Sequence, residues 1–135
     1  MELKTYFTVT AVVQNPKGEV LILKKSPDDY NYPNKWSFCS GYAKEFQSAE
    51  DEALREVKEE TGLKGKIAKK GKLIEVNDKK LGRHWVIAPF LCKVKSSKIR
   101  LDHENNEFRW IKHKDIKKYD TVPGLEKDLK VLGLR

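Results

Sequence analysis

Residues 41–63, GYAKEFQSAEDEALREVKEETGL, contain the clearest helix of the chain and decide how the rest is interpreted. Apolar residues recur there with the roughly 3.6-residue period of an amphipathic helix, which predicts a helix from Ala49 to Thr61. Ser48 has the side chain of an N-cap residue, and the acids that follow Ala49 favour the positive end of the helix dipole. Gly62 stands where a left-handed residue commonly ends a helix.

The predicted helix carries a ridge of carboxylates. Glu52, Glu56 and Glu60 follow one another at four-residue intervals, and Glu59 lies three residues after Glu56, so their side chains share one side. Like charges at this spacing destabilise a helix by ~0.2–0.5 kcal/mol per pair. A hard cation such as Mg²⁺ or Mn²⁺ would make the arrangement favourable, because it prefers oxygen ligands. The composition is equally ordinary for an exposed helix with an Arg55–Glu59 ion pair, and on composition alone that second interpretation is preferred.

The same stretch resembles the signature of the Nudix hydrolase family, G-x5-E-x7-R-E-U-x-E-E-x-G-U, in which U is aliphatic. Eight of its nine fixed or class-restricted positions match in register, which makes the resemblance highly specific. The matching residues are Gly41, Arg55, Glu56, Val57, Glu59, Glu60, Gly62 and Leu63. The resemblance implies an α/β Nudix fold, an α/β/α sandwich with a central mixed β-sheet.

The resemblance also implies a reaction and a set of roles. Family members hydrolyse a nucleoside diphosphate linked to another group: water attacks one phosphorus of the pyrophosphate and the bridging oxygen leaves. Divalent cations must neutralise the phosphates, with Mg²⁺ expected and Mn²⁺ as a substitute. Carried over by position, the metal ligands would be Glu56, Glu59, Glu60 and the Gly41 carbonyl. Glu56 and Glu59 would also take part in catalysis, and Arg55 would orient the carboxylates.

One position departs from the signature, since its first glutamate is Gln47 here. A neutral amide cannot act as a general base and is a poorer ligand for a hard cation. In the family this position mainly supports the loop and helix, and Gln47 could keep a hydrogen bond to a neighbour such as Arg55. We therefore expect an altered metal affinity or rate rather than an inactive site.

A further carboxylate is expected from a loop outside the signature. Glu104 and Glu107 are the candidates within residues 103–110, HENNEFRW. Glu104 is the first choice as a catalytic or metal-binding group, because the asparagine-rich residues beside it predict a flexible loop that reaches the site. A role as ordinary loop acids is about equally supported for both residues.

Substrate contacts are predicted from the loop that precedes the signature. Tyr32 and Trp36 could stack on a base, and Lys24 could contact phosphate. The alternatives are core packing for Trp36, which is slightly preferred, and simple solvent exposure for Lys24. Trp85 lies in an alternating strand pattern and is predicted to belong to the core.

The composition describes an ordinary globular chain. It has 135 residues, of which 39% are hydrophobic and 36% charged, and we predict one domain spanning residues 1–135. No apolar run is long enough for a membrane span, and the N-terminus lacks a secretory pattern. Cys39 and Cys92 have no metal-ligand spacing and are predicted to be reduced thiols, which together favours a cytoplasmic location.

The net charge of +8 favours anionic partners such as a nucleotide. The lysines are spread along the chain rather than gathered in a stripe, so an RNA partner is compatible with the charge but is not indicated. A homodimer is equally compatible with the sequence, although no interface can be identified in it.

The remaining elements predict strands interrupted by the central helix and followed by two short helices, hence one mixed-sheet α/β domain. The predicted strands are 6–13, 20–23, 36–39, 72–76, 85–94 and 108–111, with a turn at 15–18, a loop at 26–35 and helices at 113–119 and 125–132.

We therefore predict a metal-dependent hydrolase that cleaves a pyrophosphate bond in a nucleoside diphosphate derivative, most simply a nucleoside triphosphate as in small MutT-type members. The main alternative is a Nudix-fold nucleotide- or RNA-binding regulatory module with little turnover, which the neutral Gln47 keeps open. A second alternative is a basic α/β domain whose acidic helix is only solvated.

Overall fold

A computed structural model of the chain describes residues 4–134. The strands are β1 (Lys4–Gln14), β2 (Val20–Lys25), β3 (Trp36–Ser37), β4 (Cys39–Tyr42), β5 (Lys66–Lys70), β6 (Ile74–Asp78), β7 (Arg83–Lys93) and β8 (Asn105–Ile111). The helices are α1 (Ala49–Thr61), a 3₁₀ helix (His113–Lys118) and α2 (Leu125–Val131).

All strands of the described residues belong to one mixed sheet. Its centre is the pair β1 and β7, which run parallel from Lys4 beside Arg83 to Gln14 beside Lys93. The other neighbours are antiparallel: β4 and β2 pair with β1, β3 and β8 with β2, and β5 and β6 with β7. The expectation of a central mixed sheet is confirmed.

Helices cover both faces of this sheet. Alternate residues of β1 point to opposite sides, so Val9 and Val13 pack with Ala53 and Val57 of α1. Val12, one position out of step, packs instead with the residues of the 3₁₀ helix and α2. The two apolar clusters are the two interlayer cores of an α/β/α sandwich, as the resemblance implied.

The feature that creates the site is a split between β1 and β2. The turn at residues 15–18 joins them as predicted, yet they pair only at Gln14 and Val20. Beyond that pair, β4 takes the place beside β1, and β3 pairs with β2. The short β3–β4 segment therefore bridges two diverging strands, and the loop that precedes it lies over the gap.

The helix that carries the carboxylate ridge has the predicted bounds. The Ser48 hydroxyl accepts a hydrogen bond from the Asp51 N–H at 3.1 Å, which satisfies one donor at the start of α1. Gly62 ends the helix in the left-handed region with φ of 77°, where a side chain would be strained.

Several strand bounds differ from the prediction. β5 was not predicted, because its sequence KIAKK lacks strand character; it is an edge strand whose lysines are exposed. The strand expected at 36–39 is two strands that extend to Tyr42. β6 begins and ends two residues later than predicted, and β8 begins at Asn105, inside the segment predicted to be a flexible loop.

Two smaller expectations concern the cysteines and the membrane. Cys39 and Cys92 are both buried and free, as predicted. Among residues 4–134, no helix is long and apolar enough to cross a membrane.

Candidate active site

A cavity of about 750 Å³ lies at the split between β1 and β2. Its walls come from β1 and β4, the loop at 25–32, one side of α1, residues 103–104 and the segment 122–128. Cavities of this size are typical of small-molecule sites. Trp85 and Ile87 of β7 line the cavity as well. The signature stretch thus forms one wall, and five segments distant in sequence contribute the others.

Gly41 and Glu56 are in close contact where β4 meets α1. A Cβ atom at Gly41 would lie 2.6 Å from Glu56 Cγ and 2.7 Å from Glu56 Oε1. Atoms of a real side chain do not approach so closely, so only glycine leaves space for this carboxyl group. The absence of a side chain at Gly41 seats Glu56 directly against the backbone of β4.

Arg55 ties together the carboxylates of the ridge. Its guanidinium donates to Glu52 and Glu59 and lies 3.2 Å from Glu56 Oε1. Glu52 is the buried partner, with a side chain that is 1% exposed. Arg55 therefore contacts three of the ridge carboxylates, and Glu52 is a partner for which the sequence predicted no bond to Arg55.

The charge state of Glu56 is unusual. Burial raises its pKa to about 7, and the carboxylates of Glu59, Glu52 and Glu104 add to the increase, while Arg55 opposes it. The group therefore exchanges its proton close to neutral pH, instead of remaining fully ionised as an exposed glutamate would.

Glu60 lies behind the cavity wall. Its carboxylate accepts a hydrogen bond from the Ser40 N–H at 3.1 Å and lies 3.5 Å from Asn105 Nδ2. Burial, and then the neighbouring Glu56 carboxylate, raise its pKa well above the ordinary value, with Lys25 opposing. Glu60 thus joins α1 to β4 and β8, and it does not line the cavity.

The carboxylate oxygens of α1 are ligands that a hard cation prefers, but these side chains are not arranged around one common point. Within residues 4–134, no three His, Cys, Asp or Glu side chains are gathered closely enough to hold a metal ion. The Arg55 guanidinium forms ion pairs with the Glu52 and Glu59 carboxylates, and the Glu56 carboxyl lies against Gly41. Burial raises the pKa of Glu56, and the carboxylates of Glu59, Glu52 and Glu104 add to the increase. A cation would relieve the repulsion between these carboxylates, and their oxygens are the ligands it prefers, so the chemistry of the residues fits the predicted Mg²⁺ or Mn²⁺.

Gln47 is exposed, and its hydrogen bond through the backbone goes to the Lys44 carbonyl at 3.3 Å. Among the described residues, no hydrogen bond joins its side chain to Arg55, whose donors are taken by the glutamates of α1. The predicted Gln47–Arg55 contact is therefore not found. Arg55 pairs with the buried Glu52 carboxylate instead.

The loop acid chosen from the sequence, Glu104, lies on the wall of the cavity. Its charge contributes to the raised pKa of Glu56. Its carbonyl accepts a hydrogen bond from the Ser26 N–H at 3.1 Å, so the two loops hold each other. Glu107 lies in β8 instead, 4.0 Å from Lys24.

The structure separates the three predicted substrate residues. Tyr32 lines the cavity, and its hydroxyl donates to Asp78 Oδ2 at 2.8 Å. Trp36 is 7% exposed in the core beside the 3₁₀ helix, and Lys24 lies with its Nζ 5.9 Å from the centre of the Trp36 ring. Neither residue lines the cavity, although the adjacent Lys25 and Ser37 do, so neither is kept as a substrate residue.

Three other side chains line the cavity and provide the cationic and aromatic groups that were predicted to come from Lys24 and Trp36. Lys25 lines the cavity whereas Lys24, one position earlier in β2, does not, and the register between β2 and β8 shifts between these two residues. Tyr42 and Trp85 form an aromatic wall with ring centres 6.3 Å apart. Trp85 packs against the apolar cluster of Ile74, Val76 and Ile87, as its core prediction requires, and it also lines the cavity. A sheet register was needed to identify these residues.

Fold and site together define an α/β domain with an acidic helix beside a nucleotide-sized cavity. A family model described as NUDIX domain matches residues 4–130, which is nearly the whole chain. The chain therefore belongs to the Nudix family.

Known proteins of this family resemble the whole chain. The nucleoside triphosphatase NudI of Escherichia fergusonii is 25% identical over 135 residues, covering 93% of this chain and 95% of the relative. The MutT NUDIX hydrolase of Burkholderia pseudomallei superposes with a TM-score of 0.82 at 18% identity, covering 96% of this chain and 98% of that one. The NUDIX domain of Shewanella oneidensis NrtR, solved with ADP ribose, superposes with a TM-score of 0.79 at 15% identity, covering 94% and 85%.

Membership of this family indicates a pyrophosphohydrolase.

Proposed function

We propose that this protein hydrolyses a pyrophosphate bond of a nucleoside triphosphate or a related nucleotide, in a reaction that requires a divalent cation. The observation that carries the proposal is the joint presence of Glu56, Glu59, Arg55 and Glu104 on the wall of one cavity with an aromatic wall of Tyr42 and Trp85. Charged and flat apolar surfaces in one cavity suit the two halves of a nucleotide.

Glu56 is the proposed general base. Its carboxylate lies against Gly41 on the cavity wall, where it can accept a proton from an attacking water. Arg55 holds the neighbouring carboxylates in position through its bonds to Glu52 and Glu59. Glu104 brings a further negative charge from the opposite loop.

Members of the family generally need divalent metal ions. The proposed ligands on the cavity wall are Glu56, Glu59 and the Gly41 carbonyl, with Glu104 as a further oxygen donor from the loop. Glu60 is the remaining proposed ligand; it lies behind the wall and would reach the ion only by giving up the hydrogen bond from the Ser40 N–H. A bound Mg²⁺, or Mn²⁺ in its place, would neutralise phosphate charge and lower the pKa of a coordinated water.

The proposed substrate class is supported by the nucleoside triphosphatase NudI, which matches this chain over nearly its full length. The basic surface supports an anionic substrate as well, because a net charge of +8 raises the local concentration of polyphosphates.

The decisive experiment is a product-resolved screen of nucleoside triphosphates, dinucleoside polyphosphates, nucleotide sugars and capped RNA. Each is incubated with Mg²⁺, with Mn²⁺ and with a chelator. We expect a nucleoside monophosphate or diphosphate product only when the cation is present. Nucleotide binding without any product would contradict hydrolysis and favour the regulatory-module alternative.

Glu56→Gln should lower turnover by roughly 10²–10⁴-fold, since it removes the proposed base while keeping the shape of the side chain. The thermal midpoint should remain close to that of the wild type. Glu50→Gln is the matched control, because Glu50 lies on the same helix outside the cavity, 3.1 Å from Lys70. Wild-type turnover in Glu56→Gln would overturn the assignment.

The cytoplasmic location, the single domain and the homodimer expected from the sequence stay predictions.

A further inference from the structure

Asp128 is a carboxylic acid that is buried in the wall of the cavity. The residue is 2% exposed, lies on α2, and lines the same cavity as Glu56. Its Oδ1 is fully buried and makes no hydrogen bond to any described residue. Buried polar atoms almost always have a partner, so one without a partner inside a cavity indicates that a ligand supplies it.

Folding alone gives no reason for an acid at this position. Leu125, Leu129 and Leu132 pack in the core between α2 and the sheet. Asp128 lies three residues after Leu125 and next to Leu129, so it belongs to the same apolar side of the helix. A leucine there would complete the stripe and would avoid burying a polar group.

The surroundings of Asp128 suit a flat ring. The buried part of the cavity lining consists of the apolar Phe38, Ile87 and Leu125, the hydroxyl residues Thr10 and Ser37, and Asp128 itself. Among these described lining residues, Asp128 is the one ionisable group. Apolar surfaces with one polar group at the edge are typical of sites that bind an aromatic heterocycle.

The charge state of Asp128 narrows the choice of ligand. Burial alone raises its pKa to about 8, without a contribution from any charged neighbour. The group is therefore mostly the neutral acid at neutral pH, and it offers one O–H donor beside one carbonyl acceptor. The pairing edge of a nucleobase presents a matching donor and acceptor side by side, whereas a phosphate group offers acceptors only.

We propose that Asp128 is a specificity residue that hydrogen-bonds the edge of the substrate's nucleobase, which lies in the apolar part of the cavity while the polyphosphate extends toward Glu56. This assignment rests on the proposed function, because it places the base of the same substrate. It predicts that affinity depends on the base through one side chain that takes no part in the hydrolytic step.

The test is a set of equilibrium binding measurements in Mg²⁺ with methylene-bridged analogues of ATP, GTP, CTP and UTP, and with inorganic tripolyphosphate as a ligand without a base. Wild type should bind at least one nucleotide analogue about tenfold more tightly than tripolyphosphate. Asp128→Leu should lose most of that preference while binding tripolyphosphate within about twofold of wild type. Asp128→Asn, which keeps one donor and one acceptor, should retain the preference within about threefold.

Asp115→Asn serves as the matched control, because Asp115 lies on the 3₁₀ helix outside the cavity and pairs with Lys118. The proposal is overturned if wild type shows no preference over tripolyphosphate, if Asp128→Leu keeps the preference, or if Asp128→Asn loses it as completely as Asp128→Leu.

The two proposals fail in different ways. Base-dependent binding that requires Asp128, with no product from natural triphosphates in either cation, would refute hydrolysis and leave the base site standing. Product formation with an unchanged preference in Asp128→Leu would refute only the base site. When products form, Asp128→Leu should raise KM for the preferred nucleotide about tenfold and change kcat by less than about threefold.

Discussion

Glu52 and Arg55 form the most buried ion pair of α1. The Glu52 side chain is 1% exposed and that of Arg55 is 35% exposed, so the carboxylate depends on the guanidinium for its hydrogen bonds. The same guanidinium reaches Glu56 and Glu59 at the cavity. The Arg55 guanidinium therefore contributes both to the stability of the helix and to the geometry of the proposed site.

Arg55→Leu should lower the free energy of unfolding by about 3 kcal/mol, because it leaves the Glu52 charge buried and unpaired. Glu52→Gln in the same chain should recover a large part of that loss, since the uncompensated charge is removed. Urea unfolding of both single variants and the double variant measures the coupling. Strictly additive losses would show that the pair does not act as a unit.

At the level of elements, α1 is positioned by its contact with β4. The contact joins a backbone without a side chain at Gly41 to the Glu56 side chain, and the Glu60 carboxylate accepts from the Ser40 N–H on the same strand. The positions of Glu56 and Glu60 are thus determined by contacts with a neighbouring strand. The caps at Ser48 and Gly62 determine where the helix begins and ends, but not where it lies.

Gly41→Ala should reduce turnover by roughly tenfold or more, because a Cβ atom 2.6 Å from Glu56 Cγ must displace that side chain. Gly62→Ala is the contrasting variant at the other end of the element. Its left-handed φ should make alanine cost about 1 kcal/mol of stability while turnover per folded molecule is unchanged. Equal effects of the two variants on turnover would argue against a specific role for the Gly41 contact.

For the molecule as a whole, packing of α2 onto the sheet determines the environment of Asp128. Burial raises its pKa from 3.8 to about 8. Between these values the unfolded chain has released the proton and the folded chain retains it, so the folded state binds more protons. Stability therefore decreases as pH rises through this window and levels off above it.

Asp128→Asn removes this dependence. The variant should gain stability over wild type as pH rises from about 5 to about 8, by at most ~1.4 kcal/mol per pH unit. Thermal or urea unfolding across that range measures the difference, with Asp115→Asn as the exposed control. A stability difference that stays constant with pH would show that Asp128 is ionised in the folded protein.

The local features of α1 could be predicted because they depend on neighbours within a few residues. Its bounds follow from Ser48, Gly62 and the apolar period, and its carboxylate ridge follows from helical geometry. The hairpin turn at residues 15–18 has the same origin. The resemblance of residues 41–63 to the Nudix signature then predicted the α/β/α sandwich and a hydrolase site, neither of which follows from the local features alone.

Packing across the sheet settled the features that no local pattern contains. Lys24 and Lys25 differ by one position in β2, and only the pairing of β2 with β3 and β8 determines which of them meets the cavity. The burial of Trp36, the edge strand β5 and the partnerless Oδ1 of Asp128 have the same cause. Burial and register arise from contacts between segments far apart in the chain, and such contacts leave little trace in the residues on either side of each position.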